Sequence, residues 1–216
     1  MEKFVTLTSV AAPLPEADVD TDIIFPARFL LLLDKAGLGK HLFHERRHRP
    51  DGTSTDFVLN TAPFNAAKIL VADANFGSGS SREQAVWALA DFGIRCVIAP
   101  SFGEIFYSNC FKNGVLPIVI TGEAHANALA AAASGEPFSI DLERQTVTLP
   151  NGPSLSFEID PYRKEALMLG LDEIGGILAQ DADDIAAFEK RHRASQPWLF
   201  LDDGRLDTLF TQTDKV

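Results

Sequence analysis

The stretch NFGSGSSRE, residues 75–83, places glycines, small hydroxyls and one arginine directly after the apolar run AAKILVADA. Gly77 and Gly79 carry no Cβ, so the backbone can bend sharply here and approach a ligand closely. The serine hydroxyls can donate or accept hydrogen bonds, and Arg82 carries a planar fork of donors that matches a carboxylate or a phosphate. EQAVWALADFG follows with helical spacing, and a helix N-terminus favours anions. The stretch therefore predicts a site for a small anionic ligand.

This loop differs from the common nucleotide-binding motifs. It lacks the third glycine of the dinucleotide fingerprint, and it lacks the Lys followed by Ser or Thr of a P-loop. The alternative to an anion site is a tight strand-to-helix turn, in which Ser80 or Ser81 caps the helix and Arg82 pairs with Glu83 or another acid. Three hydroxyls and an arginine are more polar groups than such a turn needs, which favours the anion site.

A second group of charged residues lies in VDTDIIFPAR, where Asp20 and Asp22 flank Thr21 and Arg28 follows. In an extended chain both carboxylates would lie on one face. They could position a cation such as Arg82, bind a metal, or cap a helix over FLLLLDKAG. Taken alone, these residues favour the helix cap.

Histidines and cysteines are the remaining candidates for metal chemistry. His41, His44 and His48 have spacings that would line one helical face and could ligate a metal, but the neighbouring Arg and Lys residues favour a solvated face. Cys96 and Cys110 form no Cys-x-x-Cys pair, and we expect both to be buried apolar side chains. Two cysteines cannot supply the three or four ligands of an iron–sulfur cluster.

The composition narrows the class of partner. The chain has 216 residues, 46% of them hydrophobic, and a net charge of −11, which argues against nucleic acid and anionic membranes as partners. It contains no apolar run long enough to span a bilayer, and MEKFVTLTSV lacks the hydrophobic segment of a signal peptide. We therefore expect a cytoplasmic protein with a small acidic substrate.

The order of the predicted elements indicates a mixed α/β fold. KFVTLTSVAAPL reads as a strand, and from residue 66 three apolar strands alternate with two helices that end at Gly93 and Gly114. An Ala-rich helix, a hairpin around LPNGPS and C-terminal helices broken at Gly175 and Gly176 follow. We expect a single domain over residues 1–200, with a helical extension from about 160 to 200 and a flexible tail over 201–216.

Taken together, NFGSGSSRE and the following AVWALADFGIRCVIAPSFGEIFYSNCFKNGVLPIVI resemble the small subunits of 3-isopropylmalate dehydratase. VDTDIIFPARFL, GLDEIG and RASQPWL extend the resemblance over about residues 1–200. It implies an aconitase-type swivelling β/β/α domain with a C-terminal helical extension, and a hydro-lyase of leucine biosynthesis that acts on a small hydroxy-dicarboxylate. It also implies activity only with a Cys-rich large subunit that holds a [4Fe-4S] cluster, and no cofactor or metal on this chain.

The same resemblance assigns roles to residues. Ser80 corresponds to the catalytic serine, whose alkoxide removes the proton α to a carboxylate, and Ser81 and Arg82 grip the substrate. Residues with a binding, orienting or specificity role are Ser78, Gly79, Asp20, Asp22, Arg28, Phe29, Leu30, Leu31 and Leu32. Within this set Asp22 is expected to orient Arg82, and the apolar segment after Pro26 is expected to suit an isopropyl group.

One departure from the family's pattern bears on the substrate. Gln84 stands where the family usually has histidine, and glutamine can form a hydrogen bond but cannot titrate. A small subunit of a related hydro-lyase of the 2-methylmalate or citraconate type therefore remains an alternative. A non-catalytic anion-binding module that uses the same loop is a second alternative.

Overall fold

The computed structural model describes residues 1–32, 34–79, 82–150 and 152–200. In this part of the chain, seven strands form one sheet: β1 (Thr6–Leu14), β2 (Ile69–Ala72), β3 (Cys96–Ala99), β4 (Leu116–Val119), β5 (Pro137–Asp141), β6 (Thr146–Thr148) and β7 (Ser154–Ser156). The α-helices there are α1 (Thr21–Ile24), α2 (His44–Arg47), α3 (Glu83–Phe92), α4 (Glu104–Lys112), α5 (Gly122–Ala132), α6 (Pro161–Leu169) and α7 (Glu173–Ser195). Short 3-10 turns lie at Ala27–Phe29, Gly39–His41, Val58–Asn60, Phe64–Ala66 and Pro197–Leu199.

Strand β1 joins a parallel half of the sheet to an antiparallel half. The strand order is β4-β3-β2-β1-β5-β6-β7. The first part of β1, Thr6 to Val10, pairs with β5 in antiparallel fashion, whereas Ala11 to Leu14 pairs with β2 in parallel. Because β1 to β4 run in parallel, the loops that leave the carboxyl ends of β1, β2 and β3 meet at one edge of the sheet.

The central strands are apolar on both faces because the sheet is covered on both sides. All four residues of β2 and of β3 are buried. Since side chains alternate along a strand, Leu70 packs into a core that also holds the buried face of α3, and Ile69 packs into a second core with α5 and β5. The two cores fix both faces of the sheet and therefore fix where its loops emerge.

Most predicted elements are confirmed, including the hairpin of β6 and β7, although its Asn151 lies outside the described residues. The predicted helix over FLLLLDKAG is wrong. Among the described residues of this segment the chain forms the 3-10 turn Ala27–Phe29 and no α-helix, and 3-10 turns are typically this short.

The predicted helix break at Gly175 and Gly176 is also wrong, because α7 runs through both glycines. The break lies at Gly170, whose backbone is left-handed (φ 72°) and whose N–H caps the last carbonyls of α6. A glycine inside a helix costs only about 1 kcal/mol, so a pair of them does not by itself end one.

The chain divides into two compact units, Met1–Glu173 and a second that begins at Ile174. The second unit contains most of α7 and the turn Pro197–Leu199. A single domain over residues 1–200 remains a prediction, and the tail predicted for 201–216 lies outside the described residues. Among the helices of the described part, none combines the length and apolar character needed to cross a membrane.

We predict that both thiols are inert in the folded chain. Cys96 in β3 and Cys110 in α4 are fully buried, and burial raises the pKa of each thiol well above its ordinary value, so both stay protonated near pH 8. Ellman's reagent should detect no thiol in the native chain at pH 8 and two per chain in guanidinium chloride. Rapid labelling of one thiol before unfolding would contradict this packing.

Candidate functional site

The Gly- and Ser-rich loop lies between two other segments that continue past the ends of parallel strands. On one side the Gly77 N–H donates to the carbonyl of Val19 (2.7 Å), and the Thr21 N–H donates to the carbonyl of Ser78 (3.0 Å). On the other side the Phe76 N–H donates to the carbonyl of Ser101 (3.1 Å). The sheet's hydrogen bonding thus extends beyond β1, β2 and β3 and carries the loop at its centre.

The glycines of this loop meet steric demands that the sequence alone did not reveal. Gly77 has φ 72°, and a Cβ there would lie 2.2 Å from Cγ of the buried Phe106 ring in α4. A Cβ on Gly103 would lie 2.4 Å from the Gly77 carbonyl oxygen. The dipeptide Phe76-Gly77 after β2 recurs as Phe102-Gly103 after β3. This repeat is the feature of the sequence that could have predicted the close packing of the two loops.

Arg82 stands immediately before α3 and forms an ion pair with Asp22. Its Nη1 donates to Asp22 Oδ1, and its side chain is largely buried, with 20% exposed, against 55% for Asp22. Glu83 instead accepts hydrogen bonds from Trp87 Nε1 (3.1 Å) and Asn113 Nδ2 (2.9 Å). The ion pair fits both the anion site and the turn alternative, so it does not decide between them.

Asp20 and Asp22 have different structural roles. Asp20 caps α1, because its Oδ1 accepts a hydrogen bond from the Ile23 N–H at 2.8 Å. The chain is not extended here, since Asp22 lies in the first turn of α1, so the condition for both carboxylates to share one face of a strand is not met. Asp20 also adjoins the loop, where a Cβ on Gly79 (φ 90°) would lie 3.6 Å from the Asp20 Cβ.

Arg28 lies with α2 rather than with the aspartates. Its Nη1 pairs with Glu45, and its Nη2 lies 2.9 Å from Nδ1 of His44. Within the described part of the chain it forms no ion pair with Asp20 or Asp22. The structure therefore brings Asp20, Asp22 and Arg82 to the loop and places Arg28 beside α2.

The two serines with the most specific predicted roles, Ser80 and Ser81, lie outside the described residues. Gly79 and Arg82 bracket them in the chain, and α3 starts directly after Arg82 without a side-chain cap from it. The first-turn amides of a helix have no partners within the helix, so they can bind an anion. Gln84 lies in this first turn and is half-buried.

The apolar segment after Pro26 changes from buried to exposed along its length. Phe29 and Leu30 are half-buried and pack against the core, whereas Leu31 is 89% exposed and Leu32 is 40% exposed. The first two residues therefore anchor the segment, and the next two present apolar surface to whatever lies beyond it.

The three histidines do not form the predicted solvated face of one helix. His41 ends the 3-10 turn Gly39–His41, His44 begins α2, and His48 follows α2. Their half-buried rings form a row that begins on Phe29, with ring centroids 3.9 Å apart for Phe29–His41 and 4.8 Å for His44–His48. In the described chain no group of three or more His, Cys, Asp or Glu side chains is arranged to hold a metal.

Burial is the main cause that lowers the pKa of His41 and of His44. The positive charges of Lys40 and Arg28 lower the His41 pKa further, and Arg28 does the same for His44. The neutral rings that result can stack on Phe29 without the cost of a buried charge.

Comparison with known proteins adds independent information. Residues 1–123 match the family described as the aconitase C-terminal domain, residues 128–161 match LeuD_N, and residues 180–202 match the C-terminal domain of the 3-isopropylmalate dehydratase small subunit. The 3-isopropylmalate dehydratase small subunit of Paramagnetospirillum magneticum is 56% identical, over 92% of this chain and 100% of the relative. That of Gluconacetobacter diazotrophicus is 53% identical, over 92% of this chain and 97% of the relative.

A solved structure is similar as well. The crystal structure of 3-isopropylmalate dehydratase from Methanocaldococcus jannaschii is 26% identical in sequence and has a TM-score of 0.62. The similarity covers 84% of this chain and 99% of that one. The expected aconitase-type α/β fold is thereby confirmed.

We predict that Gly77→Ala lowers the free energy of unfolding by about 3 kcal/mol, because a left-handed backbone strains alanine and the new Cβ overlaps the Phe106 ring. Gly52→Ala is the matched control, since Gly52 also has positive φ (83°) but nothing within 4 Å of its would-be Cβ. It should cost only about 1 kcal/mol. Urea unfolding measures both, and equal costs would contradict the close packing at Gly77.

Proposed function

Because the chain belongs to the family of 3-isopropylmalate dehydratase small subunits, we propose that its loop and Arg82 bind and deprotonate isopropylmalate. The reaction interconverts 2-isopropylmalate and 3-isopropylmalate by loss and readdition of water, as a step of leucine biosynthesis. The observation that carries the proposal is the position of the glycine-rich loop directly before α3, where Arg82 provides no side-chain cap and the first-turn amides have no partners within the helix.

Ser80 is the proposed base. In the dehydration it takes the proton from the carbon α to a carboxylate, and the electron pair of that C–H bond forms the C=C bond. The hydroxyl on the neighbouring carbon leaves with its C–O electron pair and takes up a second proton, supplied from solvent, to become water. A free serine is too weak a base at neutral pH, so its alkoxide must be stabilised. The backbone N–H groups of the loop and the N-terminus of α3 supply partial positive charge at this point in the chain.

Arg82 and Ser81 are proposed to bind a substrate carboxylate, with Ser78 and Gly79 lining the approach. An arginine that is already oriented loses little freedom when it binds, and the Asp22 carboxylate supplies that orientation. Asp20 supports the arrangement indirectly, because it caps α1, the helix that carries Asp22.

The iron–sulfur cluster that the family implies does not fit this chain. The two cysteines of this chain are fully buried in β3 and α4, and burial raises the pKa of both thiols. They are therefore not available as ligands of a cluster. A small subunit implies a large one, and we propose that the [4Fe-4S] cluster belongs to that large subunit. The acidic charge of this chain fits a cytoplasmic metabolic enzyme without nucleic acid or membrane partners.

Substrate preference is proposed to lie in Phe29, Leu30, Leu31 and Leu32. Burying an isopropyl group against such side chains is worth about 2 kcal/mol, whereas an unpaired carboxylate there would be unfavourable. Gln84 is the residue that keeps a 2-methylmalate or citraconate hydro-lyase as the second candidate, since the family's usual histidine is replaced there.

We predict that Ser80→Ala lowers kcat about 10³-fold in the enzyme reconstituted anaerobically with its large subunit, because the base is lost while the carboxylate contacts remain. Formation of the unsaturated acid from 3-isopropylmalate is followed by absorbance, with 2-methylmalate as the competing substrate. Ser54→Ala is the control and should keep full activity, because Ser54 is exposed and its isolated β-bridge to His48 uses the backbone.

Each outcome separates the candidates. Turnover that needs both chains and is fastest with isopropylmalate supports the proposed function. Faster turnover of 2-methylmalate would support the second candidate. Unchanged ligand affinity without partner-dependent turnover of any hydroxy acid would leave the anion-binding module.

We also predict that Arg82→Lys raises KM about tenfold, since lysine cannot form the two-point contact with a carboxylate. Arg49→Lys is the control, because Arg49 lies in an exposed turn and donates to Thr53 and Ser54. An unchanged KM for Arg82→Lys would remove Arg82 from the substrate site.

A further inference from the structure

The apolar segment of the proposed substrate site depends on two residues at its start. Phe29 and Leu30 pack on the core, and the Leu32 N–H donates to the Phe29 carbonyl (3.0 Å) as the last hydrogen bond of this turn. Leu31 and Leu32 are exposed, so their own packing does not fix where they point. The position of Phe29, and of Arg28 before it in the same 3-10 turn, therefore sets the position of the leucines.

The histidine row holds both of these residues. The His41 ring stacks on the Phe29 ring, with centroids 3.9 Å apart and planes 21° apart, and the His44 ring lies 5.0 Å from Phe29. The Arg28 guanidinium also lies over this ring, 4.6 Å from the Phe29 ring centroid. Phe29 is thus enclosed between two imidazoles and a guanidinium.

Arg28 is fixed by the same row. Its Nη2 lies 2.9 Å from His44 Nδ1, and its Nη1 pairs with Glu45, the next residue of α2. Since Arg28 has donors only, His44 Nδ1 must be the acceptor, which requires the imidazole to be neutral. The short helix α2 therefore binds Arg28, the residue that precedes Phe29, through both His44 and Glu45.

His41 carries a polar atom that folding does not otherwise use. Its Nδ1 is buried and has no hydrogen-bond partner among the described residues. Leaving such an atom unpaired is unfavourable, so an apolar ring of similar size should serve in place of this imidazole. The interaction that the His41 ring does form is its stacked contact with Phe29.

We propose that His41 and His44 are positioning residues that hold Arg28 and Phe29 and thereby aim Leu31 and Leu32 at the apolar branch of the substrate. This inference rests on the proposed function, because it assigns residues to the specificity segment of that site. Neither histidine touches the reacting atoms, so both act on KM and on the choice of substrate rather than on the chemical step.

The test uses His41→Ala and His41→Phe in the reconstituted two-subunit enzyme. The alanine variant loses the stack, and we expect KM for 3-isopropylmalate to rise roughly 3- to 10-fold, with kcat changed less than twofold and weaker preference over 2-methylmalate. The phenylalanine variant keeps a ring against Phe29 and should restore both values. His192→Ala is the control, since the His192 ring lies against Phe188 in α7 and outside the row.

Equal losses in the alanine and phenylalanine variants, or a fall in kcat at constant KM, would overturn the positioning role. A wild-type enzyme that turns over no isopropylmalate would instead overturn the proposed function. Limited chymotrypsin digestion of the full chain gives a readout independent of turnover. Cleavage after Leu31 or Leu32 should be faster in His41→Ala than in wild type and His41→Phe, and equal rates would count against the positioning role even if the alanine variant were less stable.

Discussion

The packing of Gly77 against the Phe106 ring is the constraint on which the site depends. Because the ring fills the space that a Cβ would need, α4 can approach the loop after β2 until the Gly103 N–H reaches the Phe76 carbonyl at 2.9 Å. That hydrogen bond, with the one from Gly77 to Val19, aligns three loops side by side. A bulkier residue at 77 would separate α4 from the loop that leads into α3.

The division of the sheet explains how such a site is kept rigid. β1 pairs with β5 over its first half and with β2 over its second, so one strand belongs to both the antiparallel half and the parallel half. After β1 the chain passes through Val19 to the aspartates at α1. One of these, Asp22, forms the ion pair with Arg82. Oriented donors cost less to reorganise on ligand binding than mobile ones do.

The sequence predicted the parts that local pattern controls and missed those that depend on distant partners. Buried runs such as ILVA and CVIA predicted the parallel strands, and the glycines and arginine of NFGSGSSRE predicted the loop. Each of these predictions depends on the residues of one short segment alone. The histidine row escaped prediction, since Phe29 and His41 meet only through tertiary packing. Arg28 was assigned to the loop by closeness in sequence, yet α2 holds it. The roles of Ser80 and Ser81 stay predictions.

The burial of Cys96 and Cys110 has a consequence for how this chain would respond to oxidants beside the cluster that we propose for the large subunit. Oxidants attack exposed thiolates faster than buried, protonated thiols. Both thiols of this chain are protonated and lie in the two cores, so they are poor targets for such oxidation. In the proposed assembly, oxidation of cysteine would therefore fall on the large subunit before it reached this chain.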